Sequence, residues 1–86
     1  MAIEKKQLRE LVGKNVLTKE GKRLGAVRDI TFETRTGELI QLILSEATPH
    51  ALNLGLEKNK SKELLVPYNA VIAIGDFVVV SEEDII

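Results

Sequence analysis

Twenty residues, Glu20 to Leu39, constrain this chain more than any others. They read E-G-K-R-L-G-A-V-R-D-I-T-F-E-T-R-T-G-E-L: a glycine turn, a long strand, a second glycine turn and the start of another strand. In Lys19-Glu20-Gly21-Lys22, Gly21 is free to take positive φ, which makes a tight turn. Thr34-Arg35-Thr36-Gly37 predicts the second turn, with Gly37 at its left-handed position. Between the turns, Leu24 and Ala26 share parity with Ile30 and Phe32, whereas Val27 falls on the other face and Arg28 on the apolar one. A bulge near Arg28–Asp29 would return Val27, Ile30 and Phe32 to one interior. Bulges bend strands, and small barrels need bent strands. Gly25 eases the close approach of a neighbouring strand at such a bend.

The remaining segments extend this pattern. Ile3, Leu8, Leu11 and Val12 include a helical face, and Gly13 stands where a helix would stop, so a short N-terminal helical turn is expected. Asn15 to Thr18 reads as a first strand. Glu38 to Leu44 is a strand with apolar residues on both faces: Ile40, Leu42 and Leu44 on one, Leu39 and Ile43 on the other beside Gln41. A half-exposed antiparallel strand would alternate with polar residues, so this one needs a second cover: a helix, the long loop or another subunit. Ser45 to Lys62 is the longest irregular segment. Leu52, Leu54 and Leu56 alternate within it as a short strand or apolar flap; the segment reads first as a surface loop whose leucines patch the barrel's open end, and second as a partner-binding loop, since loops of this length are often functional. Glu63 to Tyr68 is a strand ending at Pro67. Gly75-Asp76 reads as a type II′ hairpin loop, and Phe77 to Val80 closes the sheet. Short strands at such intervals predict a mainly β fold: a small, strongly bent antiparallel barrel of five or six strands, as one domain over residues 1–86.

Composition limits function. A chain of 86 residues buries only about 60–65% of its unfolded surface, so association would help it. It has no cysteine, hence no disulfide framework or thiolate metal site. No apolar window reaches the length of a membrane span, and the charged N-terminus lacks a signal-type apolar run. The expected location is the cytoplasm. Net charge is −1, with nine Lys/Arg and six Asp/Glu up to Ile43 and three against seven from Leu44 onward. That balance does not predict phosphate-driven nucleic-acid binding.

No catalytic set stands out. His50 is the only histidine and reads as a solvated loop residue, since metal sites need several converging ligands. Ser45, Ser61 and Ser81 lack an accompanying base and elbow motif. The carboxylates Glu82, Glu83 and Asp84 read as an exposed tail, and no glycine set forms a phosphate loop. Phe32, Tyr68 and Phe77 read as core or barrel-end residues rather than as stacking platforms for bases. The basic residues Lys19, Lys22, Arg23, Arg28 and Arg35 gather around the first hairpin as a solvated face. No cofactor, metal or catalytic residue is expected.

The segments L-V-G-K-N-V (Leu11 to Val16), E-G-K-R-L-G-A-V-R-D-I-T-F (Glu20 to Phe32), T-G-E-L (Thr36 to Leu39) and L-V-P-Y-N-A-V-I-A-I-G-D-F-V-V-V (Leu65 to Val80) together resemble the PRC-barrel domain. That fold is shared by the cytoplasmic part of the photosynthetic reaction-centre H subunit and the C-terminal domain of a ribosome-maturation factor. At this size the chain is similar to stand-alone archaeal PRC-barrel proteins. Some of these are adaptors of cell division that bind SepF, the membrane anchor of the tubulin-like protein FtsZ. The resemblance implies a non-enzymatic, often dimeric interaction module, recruited to the division site through its partner. The charge balance and the lack of an apolar span lead to the expectation of no DNA binding and no direct membrane insertion. An RNA- or ribosome-associated module is the alternative, with salt-sensitive binding through the first hairpin. The surplus apolar residues place the expected homodimer interface at Leu39, Ile43, Val78, Val79 and Val80, and the partner-binding loop at Leu52, Leu54 and Leu56.

Overall fold

The computed structural model describes residues 10–33, 35, 36 and 39–85, and for residues 39 and 40 the backbone alone. Six strands form one mixed sheet: β1 (Asn15–Thr18), β2 (Arg23–Phe32), β3 (Leu39–Ser45), β4 (Leu65–Pro67), β5 (Val71–Ile74) and β6 (Val78–Val80). Helix α1 (Pro49–Asn53) follows β3, a 3-10 turn (Tyr68–Ala70) joins β4 to β5, and α2 (Glu82–Ile85) follows β6. The spatial order is β4-β3-β2-β1-β6-β5, so β4 and β5 are the two edges. The sheet is strongly bent, and hydrogen bonds do not close it into a full barrel.

The first hairpin follows its sequence. Gly21 has φ +84°, and Thr18 closes the turn by accepting from Gly21 N at 2.9 Å and, through Oγ1, from Lys22 N at 3.1 Å. Gly13, at φ +92°, ends the helical residues Glu10 and Leu11. The rest of the expected N-terminal helix and the left-handed position at Gly37 lie outside the described residues.

The bulge in β2 is at Arg28: Val27 pairs with Leu44 and Asp29 with Ile43, leaving Arg28 unmatched. Val27 is buried and Ile30 half-buried. Phe32 does not turn inward and is 43% exposed. A second register shift sets Thr31 opposite Gln41 and Phe32 opposite Leu39, and it re-aims the strand end. Gly25 is needed for packing: a Cβ there would lie 2.6 Å from the Ser45 carbonyl oxygen, a contact no side chain could make without moving backbone.

Three other expectations are corrected. The sheet is not wholly antiparallel, because β1 pairs parallel with β6, Val16 beside Val78 and Thr18 beside Val80. The first and last described strands thus lie side by side, with β6 next to the edge strand β5. The β5–β6 turn takes three residues, Gly75 to Phe77, with Gly75 N–H donating to the Phe77 carbonyl at 2.9 Å. Gly75 stays outside the left-handed region, so this is not a type II′ turn. The C-terminal segment is a helix rather than a free tail, and Ile85 packs against the core.

The core sits inside the bend. Alternation supplies it: Val16 and Thr18 from β1, Leu42 and Leu44 from β3, Val66 from β4, and Val78 and Val80 from β6 are all buried. Each fully buried aliphatic side chain contributes roughly 1.5–3 kcal/mol.

Candidate interaction surface

Strands at the ends of an open sheet carry unpaired N–H and C=O groups, and their surroundings decide whether another strand can join. The two ends of this sheet are treated differently.

The β4 end is wrapped by the segment the sequence left irregular. Helix α1 starts with Thr48 as N-cap, whose Oγ1 accepts from Ala51 N at 3.2 Å, and Pro49 occupies the first turn, where no amide hydrogen is needed. The same hydroxyl donates to the Arg23 carbonyl at 2.6 Å, and Thr48 N donates to the Leu24 carbonyl at 3.0 Å. These bonds pin α1 to β2, and Ala51 enters the core. Beyond it, Asn59 organises the polar run: its Oδ1 accepts from Ser61 N at 3.0 Å and Glu63 N at 2.9 Å. Lys58 bridges Leu64, and Leu65 N donates to the Glu57 carbonyl at 2.8 Å. The outer side of β4 therefore has a partner in its own loop, and Pro67, with no amide hydrogen, ends the strand.

The β5 end is bare. Val71 N–H donates to the Tyr68 carbonyl of the 3-10 turn, and among the described residues no backbone group bonds to residues 72–74 from the side away from β6. Ile72 is 51% exposed, Ile74 43% and Phe77 48%. A register shift between Val71 and Ala73 leaves Ile72 bulged. That bulge and the four-residue length of the strand blunt the edge; among the described residues no proline or covering segment lies on it. From Leu64 to Gly75 no residue is charged. Lys14 reaches the turn beyond the strand, where its Nζ donates to the Gly75 carbonyl.

The expected interface residues separate on this map. Val78 and Val80 are fully buried and Leu56 nearly so. They are corrected to core positions, because the inward parity of β6 and the fold-back of the loop carry them inside. Val79, Ile43 and Leu54 are half-buried, with Leu54 packed against the core. Leu52, at 56% exposed, stands out on α1, and the side chain of Leu39 lies outside the described residues. The alternating leucines belong to a helix and its exit, not to a strand or flap. The second cover that β3 asks for comes partly from the chain itself. A shallow cleft of about 170 Å³ borders Gln41, with Leu56, Glu57 and Ile85 facing Leu65 and Pro67.

Sequence reasoning missed Ile72 and Ile74, and Phe77, read as a core or barrel-end residue, stands exposed in the turn at the sheet's end. A signal was available. Two wholly apolar strands flank the 75–77 turn, and alternation can bury only every second residue of such a pair.

The polar groups form contacts of structural kind. His50 is not simply solvated: its Nε2 lies 2.6 Å from Glu82 Oε1, joining α1 to α2. Arg28 pairs with Glu63. Arg23 binds Asn15 Oδ1 at 2.8 Å and lies 3.7 Å from Glu46. Two of the five basic residues of the first hairpin thus have carboxylate neighbours, which lowers the field that face could offer a phosphate backbone. Among the described residues, no group of three His, Asp or Glu side chains is placed to hold a metal ion. No described helix is long and apolar enough to cross a membrane.

An open, bent six-stranded sheet with short helical covers is the architecture of a small β-barrel-like module. The chain belongs to the PRC-barrel domain family, whose model matches residues 4–84. It is 30% identical over 83 residues to an uncharacterized protein of Methanocaldococcus jannaschii, a match covering 96% of this chain and 89% of the relative. That match fits the stand-alone archaeal type of the domain.

Proposed function

We propose that this protein is a non-catalytic protein–protein interaction module, a homodimeric adaptor. The observation that carries the reading is the bare apolar edge at β5, with Ile72, Ile74 and Phe77 exposed on a chain of 86 residues. Exposed apolar surface rimmed by polar residues marks association, and a domain this small gains stability by it. The finer reading is an adaptor in archaeal cell division that binds the SepF-type membrane anchor of FtsZ from the cytoplasm. It rests on the resemblance to archaeal division adaptors and on the archaeal relative.

The test is calorimetric titration of the purified protein with a purified archaeal SepF-type anchor, at low and high salt. A complex that survives high salt supports the division adaptor, since apolar contacts are not screened. No binding at either salt removes that role. Parallel titration with ribosomal RNA checks the alternative: binding lost at high salt would move the function to the first hairpin.

A further inference from the structure

We propose that two copies of this chain join through the outer edge of β5, antiparallel across a two-fold axis, so that two six-stranded sheets run on as one. This rests on the interaction-module reading and supplies its dimer seam, which lies outside the residues the sequence pattern favoured.

Three observations converge on a second copy as the occupant. The first is the hydrogen-bonding edge itself. Val71 N–H is already used by the Tyr68 carbonyl, but residues 72–74 lie beside β6 on one side and, among the described residues, bond to no backbone group on the other. A further strand is the structure that satisfies such a row. The opposite edge, β4, already has its own loop, so the described residues offer one free edge for pairing and would form a closed pair rather than a filament.

The second is self-complementarity in charge. An antiparallel pair centred near Ala73 sets Ile72 opposite Ile74 of the other copy, and no charged residue opposes another. Asp76 is the one charged residue between Leu64 and Ser81, and it lies three positions from that centre. The two Asp76 carboxylates would stand at opposite ends of the seam, about 20 Å apart at the usual strand rise, well beyond the screening length. Lys14, held at the Gly75 carbonyl, places a cation at each end. An external partner would have to bring an uncharged apolar strand, and a second copy already carries one.

The third is extent. Ile72 and Ile74 are about half exposed beside the free edge, and Phe77 stands in the adjoining turn. A seam of this length buries less than a standard interface of about 800 Å² per partner. The dimer is therefore concentration-dependent, with a Kd in the micromolar range or weaker.

The test is sedimentation velocity from low micromolar to near-millimolar protein, on wild type, Ile74→Lys, Ile72→Lys and the control Leu52→Lys. Circular dichroism checks the fold of each. Wild type and Leu52→Lys should move from 9.5 kDa toward twice that mass. Both edge variants should stay monomeric with unchanged spectra, a loss of about a hundredfold or more in association. Two edge variants guard against one failing to fold. A folded Ile74→Lys or Ile72→Lys protein that dimerises like wild type overturns the proposal and leaves the module reading standing. A wild type that stays monomeric throughout also overturns it, leaving the edge to an extended segment of another protein. The anchor titration judges the module reading separately.

Discussion

The two ends of the sheet were built from similarly apolar strands and finished in opposite ways. At β4, L-V-P is followed outward by the chain's own backbone: Glu57 and Lys58 pair alongside, Asn59 closes their turn, and Pro67 removes a donor. At β5, V-I-A-I is followed outward by nothing among the described residues, and half its apolar surface meets water. The segment after β3 makes the difference: among the described residues α1 is pinned to β2, Glu57 and Lys58 lie along the β4 end, and none of its backbone bonds runs to β5. Part of a long irregular segment thus protects an edge. The proposed binding surface lies where, among the described residues, no such protection is supplied.

Substitutions can break this contrast, and their effects should fall in a fixed order. Val80→Asp should be worst, because a carboxylate would enter the fully buried inner face of β6. A loss of about 4 kcal/mol or more equals much of a small domain's stability, so the far-UV spectrum should be that of an unfolded chain. Leu44→Ala, on the covered side of the sheet, should lower stability in urea by about 3 kcal/mol through the cavity it leaves. Gly25→Ala should cost about 2 kcal/mol, since its Cβ would press on the Ser45 carbonyl and lift the segment leading to α1. Thr48→Ala removes the α1 cap and the bond to Arg23 and should cost about 1 kcal/mol, read as a lower urea midpoint at unchanged slope. Ile74→Lys should change monomer stability by no more than about 0.5 kcal/mol. If it instead destabilised like Leu44→Ala, the β5 edge would be interior, and the contrast between the two ends would be wrong.

Much of the fold was legible because local chemistry decides it. Gly21 forces the first turn, and the broken parity around Arg28 demands a bulge that the Val27–Asp29 register shift supplies. Gly25 marks a close approach that the Ser45 oxygen makes. What was not legible depended on distant packing. Leu52, Leu54 and Leu56 alternate as in a strand, yet Thr48 and Pro49 start a helix that only its docking on β2 stabilises, because five helical residues do not hold alone in water. The parallel pairing of β1 with β6 joins residues more than sixty positions apart, which no local pattern records. An unbroken apolar run does not reveal which parity faces in, so the sequence alone does not separate the buried Val78 and Val80 from the exposed Ile72, Ile74 and Phe77.

The most direct test of the contrast is hydrogen–deuterium exchange followed by mass spectrometry at low and high protein concentration. At low concentration, amides of residues 64–66 should exchange slowly and those of residues 72–74 faster. Raising the concentration should slow exchange at 72–74 and leave 64–66 unchanged, because only the β5 edge gains a partner. Protection at 72–74 that is already high and independent of concentration, or a concentration effect at 64–66 instead, would contradict the account.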